Sequence, residues 1–133
     1  MTDREPITLN PIGVIHCRLK SRAETPKNYT ESTETGTLEV FPEYLEAMAD
    51  IKPGQTLVAL FWLHEAKRDV LKVYPRGDKS RGLHGVFSTR SPMRPNPIAV
   101  SELKVLGIKG NIIEVSGVDV LNGTPLLDIK KTI

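Results

Sequence analysis

The sequence has 133 residues, of which 39% are hydrophobic and 26% charged, with 18 Lys and Arg against 16 Asp and Glu. A chain of this length makes one domain, expected to run over 1–133, and its apolar share argues against global disorder. The single cysteine excludes an internal disulfide and a Cys-x-x-Cys zinc site, and no apolar run approaches the ~18–20 residues of a transmembrane helix. The opening MTDREPITLN lacks the basic-then-apolar pattern of a signal peptide, so a cytoplasmic protein without a membrane partner is expected.

In chain order, Asn10-Pro11 signals a turn and residues 13–17 read as a short strand. Residues 18–35 form a long polar loop around Pro26-Lys27-Asn28; structureless loops beyond ~12–15 residues are usually functional or disordered, and a functional one is expected here. Residues 37–40 alternate as a strand. Phe41, Tyr44, Leu45 and Met48 then fall on one helical face, with Pro42 in the first turn and Lys52-Pro53-Gly54 as the stop. The continuous apolar run 57–63 predicts a strand buried on both faces. Short extended pieces are expected at 70–74 and 86–89, separated by a Gly- and Arg/Lys-rich loop. A strand through Val100, Leu103, Val105 and Leu106 should end at Gly107. Residues 108–111 turn into a strand at 112–115, and a strand at 118–121 meets Asn122-Gly123, a type I′ hairpin signal, before a returning strand at 126–130.

One convincing helix stands against six to eight short strands, without the ~10–15-residue helices that parallel βαβ units need. The fold class is therefore mainly β: a small antiparallel β-barrel, or a sandwich, with one or two accessory helices.

Charge is distributed unevenly. Residues 1–66 hold six basic and ten acidic side chains, whereas 67–94 hold eight basic and two acidic. Such a segment is either a solvated basic loop or an attractor of anions such as nucleic acid, a nucleotide or a carboxylate. Within and beyond it lies GVFSTRSPMRPNPI, 85–98. Pro92, Pro95 and Pro97 fix three φ angles, so this segment loses little entropy on ordering. Arg90 and Arg94 offer rigid forks of donors for carboxylate or phosphate, and Asn96, between two prolines, presents a donor and an acceptor. The alternative is a proline-rich loop that merely closes the barrel.

His64, followed by Glu65, ends the apolar run, either as a satisfied histidine or at a pocket mouth. His16 and Cys17 point to opposite faces of a strand, which argues against a shared metal site; a composite of His16, His64 and His84 is only weakly signalled, and no metal is expected. Arg76-Gly77-Asp78 reads as a turn. No GxGxxG or GxxxxGK[ST] is present, and no pair of carboxylates is singled out by spacing for acid/base work.

Four segments in this order, Ile12-Gly13-Val14-Ile15, Leu60 to His64, the 85–98 segment and Asn122 to Lys130, resemble the TsaA-like family, also called YaeB, whose studied members are tRNA N6-methyltransferases acting on modified adenosine 37. The resemblance runs from about residue 10 to 130. It implies a small β-barrel that binds S-adenosylmethionine without a Rossmann fold, and a homodimer with the cofactor near the interface. Cofactor contacts would fall on Pro26, Lys27, Asn28, His64, Glu65, Arg90, Val100, Asp119, Val120, Leu121 and Asn122. Arg94, Asn96, Arg76, Lys79 and Arg81 would meet a tRNA substrate, not DNA. Asp119 and Asp128 are the candidates to accept the proton.

Transfer to an amine is an in-line displacement that needs positioning and desolvation rather than a metal. The resemblance also leaves room for a non-catalytic S-adenosylmethionine- or RNA-binding module, or for another acceptor; a metal-linked enzyme using the histidines is a third class. Departures from the family pattern are His16-Cys17-Arg18 for Arg-Ser-Pro, Ala99 for a glycine, Asn122 for an aspartate and Lys131-Thr132 for Pro-Tyr. The match ends before the C-terminal extension of bacterial tRNA-modifying members.

Overall fold

The eight strands of the computed structural model, which describes residues 4–26 and 28–133, are β1 (Gly13–Cys17), β2 (Thr35–Val40), β3 (Thr56–Trp62), β4 (Lys72–Val73), β5 (His84–Gly85), β6 (Ile98–Lys109), β7 (Ile112–Ser116) and β8 (Pro125–Lys131). Six close a barrel in the order β1-β2-β7-β6-β3-β8, with every pair antiparallel, and β4 and β5 form a separate ribbon. The protein is mainly β, and its helices, among the described residues, are 3-10: one of seven residues at Pro42–Met48 and four single turns.

Alternation builds the core. Ile15, Leu38, Val40, Leu57, Ala59, Phe61, Leu103, Val105, Ile113, Val115 and Leu126 point inward and are buried. Gly13 is required where β1 meets β2: a Cβ there would sit 2.1 Å from the carbonyl oxygen of Glu39. The barrel is plugged at both ends. At one, Leu19 and Val118 are wholly buried and Val120 nearly so; at the other, Met48, with Tyr44 and Ile51 against it, closes the space beneath the seven-residue helix.

Five details differ from expectation. The helix after Phe41 is 3-10 rather than α; Pro42 sits at its start and it stops after Met48. β3 is buried on one face only: Leu57, Ala59 and Phe61 face the core, whereas Val58, Leu60 and Trp62 line the half-exposed outside of the barrel. β6 does not end at Gly107 but continues to Lys109, its register with β7 shifting between Val105 and Gly107, as a bulge allows. Residues 86–89 carry a 3-10 turn, Val86–Ser88, instead of an extended piece.

Finally, 118–121 is not a strand, and Asn122-Gly123 is not a type I′ hairpin turn. Only Gly123 of the two has positive φ, at 84°, and the Thr124 amide donates to the Leu121 carbonyl, a pattern of a type II turn. The segment is instead held across the barrel mouth, its amides at Asn122 and Gly123 donating to the carbonyls of Leu19 and Ile15.

Candidate functional site

The mouth plugged by Leu19 and Val118 gathers segments that lie far apart in sequence. After β1 the long loop returns over the mouth, and Ser32 hydroxyl donates to the Val118 carbonyl while the amides of Gly117 and Val118 donate to the Glu34 carbonyl. Asn28 caps the 3-10 turn Tyr29–Glu31, its side-chain oxygen accepting from the Thr30 amide at 2.9 Å. Pro26 is half-buried beside it, and Lys27 lies outside the described residues.

Asp119 is the centre of this arrangement. Its Oδ1 accepts from Ser101 Oγ at 2.6 Å, and Ser101 is a fully buried residue of β6, paired with Ala59 of β3. The backbone amides of Asp119 itself and of Tyr29 also face the carboxyl, and the Arg90 guanidinium acts on it through charge. Burial pushes the Asp119 carboxyl above the ordinary carboxylate value, opposed in order by the Ser101 hydroxyl, those two amides and the Arg90 guanidinium. The polar geometry continues along the segment. Val120 is buried and its carbonyl accepts from Cys17 Sγ at 3.4 Å; Leu121 is half-buried; Asn122 Oδ1 accepts from the Cys17 amide at 3.0 Å. Burial pushes the Cys17 thiol up.

The proline-rich segment is stiffened by more than its prolines. Arg94, half-buried, turns its guanidinium onto the carbonyls of Thr89 and Ser91, both at 3.1 Å. Arg68 lies 5.0 Å over the Trp62 ring and donates to the Pro95 carbonyl at 2.7 Å and to Asn96 Oδ1 at 3.1 Å. The Leu63 amide donates to Pro97 and the Arg94 amide to Lys67, which seats the turn bearing His64 and Glu65 alongside. His64, Glu65 and Arg90 are exposed, and Val100 faces outward beside Leu60. Arg94 and Asn96 are thus engaged within the loop, whereas Arg90 is exposed and its charge reaches Asp119.

Of the basic residues, Arg76 donates to Glu31 at 2.6 Å and so ties its loop to the Tyr29–Glu31 turn. It does so with φ of 56°, a left-handed conformation that is uncommon for a residue with a side chain. Lys79 is exposed, and Arg81 stands 3.6 Å from Asp78.

The structure does not bring Asp128 to Asp119. Asp128 sits on β8 opposite Leu60, next to Lys130 at 3.8 Å, and lines a cavity of about 690 Å³ with Tyr44, Met48 and Ile51 at the opposite end of the barrel. Nor are the histidines assembled: His16 Nε2 lies 2.8 Å from Glu39 Oε1 and His84 Nε2 is 2.8 Å from the Arg81 carbonyl. Among the described residues no three His, Cys, Asp or Glu stand close enough to hold a metal.

Ser101, Tyr29, Glu31 and Arg68 escaped the sequence reading. A serine inside an apolar strand carries no spacing signal. Arg68 could have been suspected from its place in the basic segment six residues after the single tryptophan.

The profile of a family described as the tRNA-methyltransferase O N-terminal domain matches residues 14–133. A probable S-adenosyl-L-methionine-binding protein of Methanothermobacter thermautotrophicus is 41% identical over 130 residues, covering 98% of this chain and 92% of that protein. An S-adenosyl-L-methionine-binding protein of Archaeoglobus fulgidus is 36% identical over 123 residues, 92% of this chain and 87% of its own. A crystal structure of TrmO from P. aeruginosa superposes with a TM-score of 0.79 at 29% identity over 100% of this chain; the chain spans 57% of that protein's length.

Proposed function

The chain belongs to the tRNA-methyltransferase O N-terminal domain family, and from that membership we propose that it is an S-adenosylmethionine-dependent methyltransferase whose acceptor is N6 of a modified adenosine at position 37 of tRNA. One observation carries the reading: loops around 28–31, 90 and 119–122 converge on a half-buried carboxylate at one barrel mouth. When bound, S-adenosylmethionine supplies a methyl group on a positively charged sulfur.

The residues present fit such a group. Asp119 offers a negative charge to a cationic donor, and its partial burial strengthens that attraction. Arg90 offers a guanidinium fork to a carboxylate. Pro26, Lys27, Asn28, His64, Glu65, Val100 and the stretch 119–122 would complete the holding set. Clamping by Arg68 and Arg94 lets the loop meet a ligand already ordered, so little entropy is lost on binding. Of the two candidate bases, Asp119 is the one beside these loops and is the group we assign to take the proton of the acceptor amine. Arg76, Lys79 and Arg81 supply positive charge to draw an RNA backbone.

The outer face of β3 and β6 supports a homodimer. Trp62 pairs with Ile98 and Leu60 with Val100, and Ile98 and Val100 are 38% and 40% exposed. An apolar strip of this kind favours a second barrel as its cover, which would put Val100 and the cofactor contacts near the interface. A tRNA acceptor would make the protein cytoplasmic.

The second reading, a binding module without catalysis, is favoured by the relatives' names, which speak only of binding. Purified protein is titrated with S-adenosylmethionine by calorimetry and then incubated with it and with tRNA carrying the modified adenosine, followed by nucleoside mass spectrometry. A nucleoside heavier by one methyl group is expected. Binding without transfer leaves the second reading, and no binding removes both.

A further inference from the structure

A fully buried hydroxyl on an otherwise apolar barrel wall needs a reason. Ser101 sits between Val100 and Glu102 on β6, opposite Ala59, and the inward neighbours on its strand are Leu103 and Val105. An alanine or valine would fill the place without a polar atom to satisfy. The hydroxyl instead donates at 2.6 Å to Asp119 Oδ1. Asp119 lies on an irregular segment, where no strand ladder fixes its direction.

We propose that Ser101 is the positioning residue of the site, holding the Asp119 carboxylate as an anion aimed at the cationic donor. The inference rests on the S-adenosylmethionine reading above.

The physics is direct. A carboxylate that is half removed from water is drawn toward its neutral form, and a neutral acid has no attraction for a sulfonium. A hydroxyl that can only donate to it favours the charged form and fixes the direction of the oxygen it bonds. The other groups that favour the Asp119 anion each contribute less than Ser101. From the long loop there is the Tyr29 amide; the nearby Glu31 carboxylate is already paired with Arg76. From the proline-rich segment there is Arg90, acting through charge. From its own segment there is the Asp119 amide.

The test is donor affinity as a function of pH, measured by calorimetry for the wild type, Ser101→Ala, Ser101→Thr and Asp119→Asn. In the wild type, affinity for S-adenosylmethionine falls as pH drops through the Asp119 range. In Ser101→Ala the same fall begins at a higher pH, because the group that stabilises the anion is gone, and affinity near neutrality is lower by about ten- to hundredfold. Ser101→Thr keeps the hydroxyl and restores the wild-type profile. Asp119→Asn binds weakly at every pH, with no fall on acidification, and serves as the check if the alanine variant does not fold.

A Ser101→Ala profile that superposes on the wild type, or is lowered by one factor at all pH values, would overturn the proposal, as would wild-type affinity in Asp119→Asn. Failure of the wild type to bind the donor at all is a different result: it removes the functional reading and this inference with it.

Discussion

The two ends of the barrel do the same structural job with different materials. At the end under Pro42–Met48, Tyr44, Met48 and Ile51 close the core. At the other, Leu19 and Val118 close it more tightly, and woven among them are Asp119, Ser101, Asn122 and Cys17, joined by hydrogen bonds. An apolar plug is sufficient to close a barrel. The polar network at the second end is therefore surplus to closure, and it costs desolvation, as the raised Asp119 carboxyl records. Function is the reason we assign to that cost.

Removing each plug separates the two ends most strongly. Leu19→Ala should lose about 3 kcal/mol of unfolding free energy, since Leu19 is wholly buried and its cavity cannot collapse easily. Met48→Ala, at the more open end, should lose about 2 kcal/mol. Urea melts read both. The sharper contrast is in binding: folded Met48→Ala should keep wild-type affinity for S-adenosylmethionine, whereas Leu19→Ala should lose affinity as its loop loosens.

Arg90→Ala leaves the plug intact and should weaken donor binding by ~1.5–3 kcal/mol, the worth of a charged hydrogen bond, in a calorimetric titration. Wild-type affinity would move the carboxylate contact elsewhere.

Asp119→Asn should trade function for stability. Because the folded state raises this carboxyl, the stability linked to its protonated form is fully present below the ordinary carboxylate value and is lost as pH rises through the folded-state value. At neutral pH the wild type has lost it, so the amide variant should melt higher, with the difference vanishing in acid. A wild type that melts as high as the variant at neutral pH would show that Asp119 carries no such burden.

The smallest effect is expected for Asn122→Asp, which restores the residue of the family pattern. The side-chain oxygen that accepts from the Cys17 amide is retained, so thermal unfolding should shift by less than ~0.5 kcal/mol.

What the sequence disclosed follows the same division. Strands in this barrel have one inner face, so Leu57, Ala59 and Phe61, or Ile113 and Val115, show their roles by alternation. The stiffness of 90–97 was legible because proline acts locally, through φ. The division of labour between the two arginines was not, because only the folded loop shows that Arg94 braces Thr89 and Ser91 while Arg90 stays exposed. Asp119 and Asp128 looked equivalent on either side of Asn122-Gly123. It is the direction of β8 that carries Asp128 toward the opposite end, and strand direction is a property of topology. The continuous apolar run of β3 does not read as buried on one face only, because composition does not distinguish a core-facing residue from one on the half-exposed outer face.

The most direct test of the central claim is amide chemical-shift mapping of the protein titrated with S-adenosylmethionine. Shifts concentrated at 28–31, 90–96 and 117–122, with 42–51 silent, are the predicted result. Shifts centred on 42–51 and 128–132 instead would place the ligand at the apolar end and contradict the account.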